Sequence, residues 1–213
     1  MEVLEIKPIR NKEIIVYLVN LSKKKPNPNV NVNLTDFLNQ HNFNFATIDL
    51  KNGKRRGFDK SPLAKILKQF NIPYYTVDIP EYAMGYLMAE IIEKEDQVNG
   101  LIEEFLSISD KESIKGVNIK SWIDYLKGEI EEKKLFLDIK LRPEWIVKKI
   151  LDIIRTIDNN EIVFIHFAQN NVFSETLKLL KDLDVKVKIY EKQMEKFPLN
   201  LIINEEELDQ WKC

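Results

Sequence analysis

The sequence predicts an α/β fold: a three-layer, Rossmann-like, mostly parallel sheet of about five to six strands, carrying a long inserted helical hairpin. Three observations carry this reading. Apolar, β-branched runs recur at Glu13–Asn20 (EIIVYLVN), Phe45–Leu50 (FATIDL) and Glu161–Ala168 (EIVFIHFA); strands apolar on both faces belong to buried parallel sheets. Helical periodicity fills the intervals between them. From Glu81 to Asp138 the apolar residues follow steps of three and four for far longer than one crossover helix needs. The predicted organisation is one composite domain: a first α/β half at 1–80, the hairpin at 81–139, and a second half at 140–213.

Each element has its own signal. Glu13–Asn20 is the first strand, followed by the polar stretch Ser22–Asn33 with two prolines, read as a loop. A helix follows through Leu34, Phe37 and Leu38 to Gln40, with Thr35 or Asn33 as its cap. Phe45–Leu50 is the second strand, and Asn52-Gly53 predicts that Lys51–Phe58 continues it as a hairpin. Ser61-Pro62 is a helix start, with a hydroxyl cap and proline in the first turn. Pro73–Asp78 is the third strand. On the long helix, Met84, Leu87, Ile91, Val98, Leu101 and Phe105 form a heptad-like seam with Lys94 at the missing position. Ser107–Gly116 interrupts it, with Asp110 as the expected cap. Ile119, Trp122, Leu126, Ile130 and Leu137 are the expected inward residues of the second arm, and Arg142-Pro143 starts a third helix. After the fourth strand come a helix at Val172–Leu183 and a fifth strand, Val185–Tyr190, whose Val-Lys alternation places it near a sheet edge. Leu199–Asn204 is read as a short sixth strand and the tail as helical.

The composition excludes several classes. With 31% charged residues and a net charge of −2, any affinity for nucleic acid must come from a local patch. The one cysteine, Cys213, allows no disulfide within the chain, which suits a reducing cytoplasm. The opening MEVLEIKPIR has acids and no apolar run, unlike a signal peptide, and no apolar stretch is long enough to span a membrane. No GxGxxG or P-loop follows a strand, so neither NAD nor a Walker-type nucleotide site is expected. Two histidines and one cysteine cannot build a zinc site of the Cys/His kind, and no GxSxG elbow offers a hydrolase nucleophile.

Ligands of open parallel sheets bind at the carboxyl ends of the strands, and those ends supply the candidates. Asp49 and Asp78 end the second and third strands. Acids at neighbouring strand ends hold a magnesium ion through carboxylate oxygens; the alternative is that each caps a turn or pairs with a nearby cation. The segment KNGKRRGFDK follows Asp49 at once. Its Lys51, Lys54, Arg55 and Arg56, spaced by glycines, suit phosphate, or else form a solvated hairpin tip. Phe58, Tyr74, Tyr75 and Tyr82 offer stacking faces, the two strand tyrosines reading more readily as core. His166 is either a core residue or an acid–base group, because Gln169, Asn170 and Asn171 follow it at a strand-to-helix turn. Asn170 belongs with the ligand-binding set; Arg142, Lys148 and Lys149 add to a basic surface or else pair with acidic positions of the hairpin.

The run Asp49–Gly57 is similar to the acid-bearing first strand and hairpin of RNase H-like nucleases, and Asp49-Leu50-Lys51 to the D-x-K element of restriction-type nucleases. Both are analogies over a few residues and identify no family. Two functions follow. The first is a cytoplasmic protein binding a nucleotide or nucleic acid at the carboxyl edge. Arg55 and Arg56 would hold phosphate, Asp49 and Asp78 magnesium, and His166 would orient the ligand or act as acid or base; if the protein is catalytic, phosphodiester hydrolysis is the chemistry that suits such a site. The second is a non-enzymatic scaffold whose hairpin, 81–138, pairs with a second subunit through its heptad seam.

Overall fold

The computed structural model describes residues 12–22, 30–50, 57–183, 185–189 and 197–198. In chain order the elements are β1 (Glu13–Ser22), α1 (Val30–Gln40), β2 (Phe45–Ile48), α2 (Pro62–Gln69), β3 (Tyr74–Thr76), α3 (Glu81–Ser107), α4 (Ile114–Leu135), α5 (Arg142–Arg155), β4 (Glu161–Gln169), α6 (Asn170–Asp182), β5 (Lys186–Ile189) and the two-residue β6 (Phe197–Pro198). A short 3-10 turn at Phe58–Lys60 precedes α2, and a π turn at Phe136–Leu141 joins α4 to α5.

Five strands form one all-parallel sheet in the order β3-β2-β4-β1-β5, with β6 beside the last residues of β1. This is the Rossmann-like three-layer arrangement that the alternation of strands and helices predicts. The central strands are buried on both faces, which is why their sequences lack polar alternation: Val16, Leu18, Phe164, Ile165 and Phe167 are fully inaccessible. α1 and α2 pack on one face through Leu34, Phe37, Leu63 and Leu67. α5 and α6 pack on the other through Ile146, Ile150, Ile154, Val172 and Leu180. The steps β1→β2 and β2→β3 run toward one sheet edge over the first face; the return to β4 and β5 runs over the second. All four crossovers therefore share one hand, as right-twisted strands require.

The chain divides into two compact units, 1–79 with 142–213, and Pro80–Leu141. The second unit is an antiparallel hairpin of α3 and α4 with its own core. Ile91 and Val98 face Ile119, Ile123, Leu126 and Ile130, so the heptad seam of α3 is turned onto the chain's own second arm. The ion pairs Lys94–Glu129 (2.6 Å), Lys134–Glu95 (2.6 Å) and Lys115–Glu104 (2.8 Å) step up one helix and down the other.

Several local expectations are corrected. α1 begins at Val30, so Thr35 and Asn33 lie inside it rather than at its cap. β2 ends at Ile48 and both its partners are parallel, so no described strand completes a hairpin after it; Lys51–Arg56 lie outside the described residues. Phe58 is 2% exposed and meets Tyr74 edge-to-face at 5.4 Å, a core contact rather than a stacking face. Ser113, not Asp110, caps α4 by accepting from the Gly116 amide. Trp122 is 57% exposed and Ile123 takes the inward position. β5 pairs with β1 alone among the strands of the path, at the edge its alternation predicts. Leu199–Asn204 and the tail lie outside the described residues. Among the described residues no helix is long and apolar enough to cross a membrane.

Candidate functional site

The sheet order creates one switch point. From β2 the chain leaves toward β3, and from its neighbour β4 it leaves the other way, toward β5. Connections that part from adjacent strands open a crevice at the carboxyl edge, the usual ligand position in such sheets. Asp49 follows β2 and Gln169 ends β4, so both stand at this point.

They are clamped together. Both Asp49 carboxylate oxygens accept from the Gln169 backbone N–H, at 2.8 and 2.9 Å, and Gln169 Nε2 donates to the Asp49 carbonyl at 2.9 Å. Gln169 is also the N-cap residue of α6, and its side chain makes no capping bond there. Its amide is spent on Asp49, which leaves the first amides of α6 without a side-chain cap. Asn170 is the first residue of α6, at the same edge.

Asp78 stands after β3, on the other side of β2. Its carboxylate accepts from the Ile79 amide at 2.8 Å and from Arg142 Nε and Nη2 at 3.1 and 2.6 Å. Arg142 opens α5 and is fully buried. It is therefore no part of a basic surface: the fork of a guanidinium meets a carboxylate in a dry site. Sequence reasoning missed this pairing because the partners are 64 residues apart and neither local context announces the other.

Asp49 and Asp78 do converge electrostatically. Burial holds the Asp49 carboxyl well above the usual carboxylate range; the Gln169 bond opposes this, the Asp78 charge adds to it, and Arg142 offsets part. The pair does not fit a magnesium site as it stands. Asp78 is committed to Arg142 and Ile79, Asp49 faces an N–H, and no cluster of three metal-ligating side chains exists among the described residues.

His166 lies within β4, opposite Thr47 of β2 and Leu18 of β1, and is completely buried. Its Nδ1 shares a 2.9 Å hydrogen bond with Thr47 Oγ1, while Nε2 has no partner among the described residues. Burial pushes its pKa down to about 4, a bond to the Thr47 backbone partly opposing, so the ring is neutral at pH 7. It sits below the edge, not at it. Lys51, Lys54, Arg55 and Arg56 lie outside the described residues.

Fold and site together define a class: a parallel α/β protein with a topological switch point beside buried Asp49, Asp78 and Arg142. No protein-family model, curated protein or solved structure matches the chain.

Proposed function

We propose that this protein binds a phosphate-bearing ligand, a nucleotide or a nucleic acid, at the carboxyl edge between β2 and β4. The observation that supports the reading is the switch point itself, from which the basic run Lys51–Arg56 departs two residues after Asp49. Four cations thus follow this fixed strand end in sequence, and α6 begins at the same edge with no side-chain cap on its first amides. Arginine forks and helix-start amides are complementary to phosphate oxygens. In this reading Lys51, Lys54, Arg55, Arg56 and Asn170 contact the ligand. The buried Asp49–Gln169 clamp and Asp78–Arg142 pair hold the edge in shape. His166 supports β4 from below.

Fluorescence anisotropy with labelled single- and double-stranded DNA and RNA, over a salt series, tests this, with nucleoside triphosphates as competitors. Affinity should fall log-linearly with salt, the slope counting neutralised phosphates. Arg55→Ala/Arg56→Ala should weaken binding by roughly tenfold or more at an unchanged melting temperature. Unchanged binding in that variant discards the assignment, and no binding of any of these ligands at low salt discards the reading. Magnesium or manganese in parallel samples tests for a metal requirement and for hydrolysis of the bound strand.

A further inference from the structure

We propose that the edge site continues downward between the sheet and α6 as a pocket for the nucleoside of a mononucleotide, opened when α6 moves off the sheet, with His166 Nε2 and Thr176 Oγ1 as its polar contacts. The inference rests on the ligand reading above and narrows it. It starts from a change of character along one face of the sheet. On the face that α5 and α6 cover, Val16, Phe164 and Phe45 form an apolar row across β1, β4 and β2. Side chains alternate along a strand, so two residues nearer the carboxyl edge the same face presents Leu18, His166 and Thr47, and then Asn20 beside Ala168. The opposite face stays apolar at this depth, through Val19, Ile48 and Phe167.

The helix above matches the change. α6 turns Val172, Thr176 and Leu180 to the sheet at four-residue spacing; the outer two join the apolar cluster, and Thr176 between them is fully buried. Measured from the turn at Gln169 and Asn170, His166 lies about 10 Å down the strand and Thr176 about 9 Å down the helix. The two stand at one depth. Neither His166 Nε2 nor Thr176 Oγ1 has a hydrogen-bond partner among the described residues, and Trp145 Nε1, near the start of α5, is a third such atom. Buried polar groups are nearly always paired, and an unpaired one lowers stability. Valine and phenylalanine fill the same face one row below. Polar groups kept unpaired beneath a switch point mark a place shaped for a ligand.

Their chemistry selects the uncharged part of that ligand. His166 Nδ1 is engaged by Thr47 Oγ1 at 2.9 Å, so Nε2 of the neutral ring offers one donor or one acceptor, and the threonine hydroxyl offers either. In a dry seam such groups suit a base edge or a sugar hydroxyl, whereas a phosphate there would be a buried charge without a counter-ion. The phosphates therefore stay at the edge and the nucleoside points inward. A polynucleotide would have to leave the pocket as well as enter it, past the sheet and two helices. α6 is the wall free to move. α5 is held at both ends, Arg142 by Asp78 and the carbonyls of Ile154 and Ile157 by Lys12 Nζ. α6 has no side-chain cap at its start and leads into the edge strand β5.

Isothermal titration calorimetry of the full chain, with ATP, GTP, CTP, UTP and tripolyphosphate as probes, reads the contribution of the nucleoside. At least one nucleoside triphosphate should bind roughly tenfold or more tightly than tripolyphosphate, which has phosphates and no nucleoside. Thr176→Val, which keeps the shape and removes the hydroxyl, should weaken that nucleotide about tenfold and leave tripolyphosphate binding unchanged. In the ligand-free protein the same variant should slow amide hydrogen exchange in α6 at least roughly fivefold, because the unpaired hydroxyl is gone. Tripolyphosphate binding as tightly as every nucleotide overturns the pocket and leaves the edge site standing. That comparison uses the wild type alone and stays decisive if Thr176→Val fails to fold. A nucleotide affinity indifferent to Thr176→Val, or exchange in α6 that the variant speeds or leaves unchanged, overturns the pocket equally. No binding of any of these probes, or of nucleic acid, removes the edge reading itself and the pocket with it.

Discussion

At the scale of single residues, four buried ionisable groups set the behaviour of the sheet unit. Arg142 and Asp78 are both buried and bond through two N–H groups, so removing one strands a charge in a dry site. Arg142→Met should cost about 3–5 kcal/mol in urea denaturation. Adding Asp78→Asn should recover most of that loss, because the stranded carboxylate goes with it; a double variant as unstable as the single one would mean that packing, not charge, dominates. His166 and Asp49 act on pH dependence in opposite senses. Unfolded imidazole binds its proton near pH 6.5, but the folded ring only near 4, so the unfolded state holds more protons in that window. The contribution of neutral His166 is complete above 6.5 and is lost as pH falls to about 4, by at most roughly 3 kcal/mol. Asp49 is raised instead. Its contribution is present below the ordinary carboxylate value and fades as pH rises through the folded pKa. Urea midpoints from pH 4 to 8 should therefore show a flattened acid limb in His166→Gln, and in Asp49→Asn a relative gain that grows with pH. Parallel profiles for all three proteins would contradict both assignments.

At the scale of elements, the tip of the hairpin depends on two adjacent choices. Ser113 Oγ accepts from the Gly116 amide at 3.2 Å, and a Cβ on Gly116 would overlap the backbone carbonyl of Lys111. Ser113→Ala should cost about 1 kcal/mol as a lost cap. Gly116→Ala should cost about 1–3 kcal/mol by overpacking, despite alanine's better helix propensity; a more stable Gly116→Ala would show that the tip backbone shifts freely. Such features separate what a sequence discloses from what it conceals. Local periodicity announces strands, helices and the hairpin, and the Val-Lys alternation of β5 announces an edge, because each is written within a few residues. Ser61-Pro62 announces α2, and Ser61 Oγ does accept from the Ala64 amide at 3.1 Å. Trp122 and Ile123 both stand three or four residues from Ile119 and Leu126, so local periodicity does not choose between them; Ile123 also stands one heptad before Ile130, and it is the one turned inward. The insertion of β4 between β1 and β2, the Asp78–Arg142 pair and the Asp49–Gln169 clamp are products of tertiary order, written nowhere locally. Asp49 and Asp78 were legible as strand-end acids, but not their partners.

At the scale of the whole molecule, the hairpin leaves and re-enters the sheet unit beside one ion pair. Pro80–Leu141 is a compact unit of its own, and the residues flanking it, Ile79 and Arg142, are held close because Arg142 Nη2 lies 2.6 Å from Asp78 Oδ2. A glycine-serine linker of about four residues, at ~3.5 Å each, spans such a gap. The third crossover would then run from β3 directly into α5, and the core of the sheet unit would lose none of its own members, since its two apolar clusters draw on no residue between 80 and 141. The shortened chain should fold cooperatively, keep the Asp78–Arg142 pair and retain phosphate-ligand binding. Binding intact in the shortened chain would assign the ligand site to the sheet unit. Loss of binding in a chain that still folds would mean that the hairpin contributes to the ligand site. Failure to fold would mean that α5 needs the helical run before it to dock on the sheet, so that the two compact units are one folding unit.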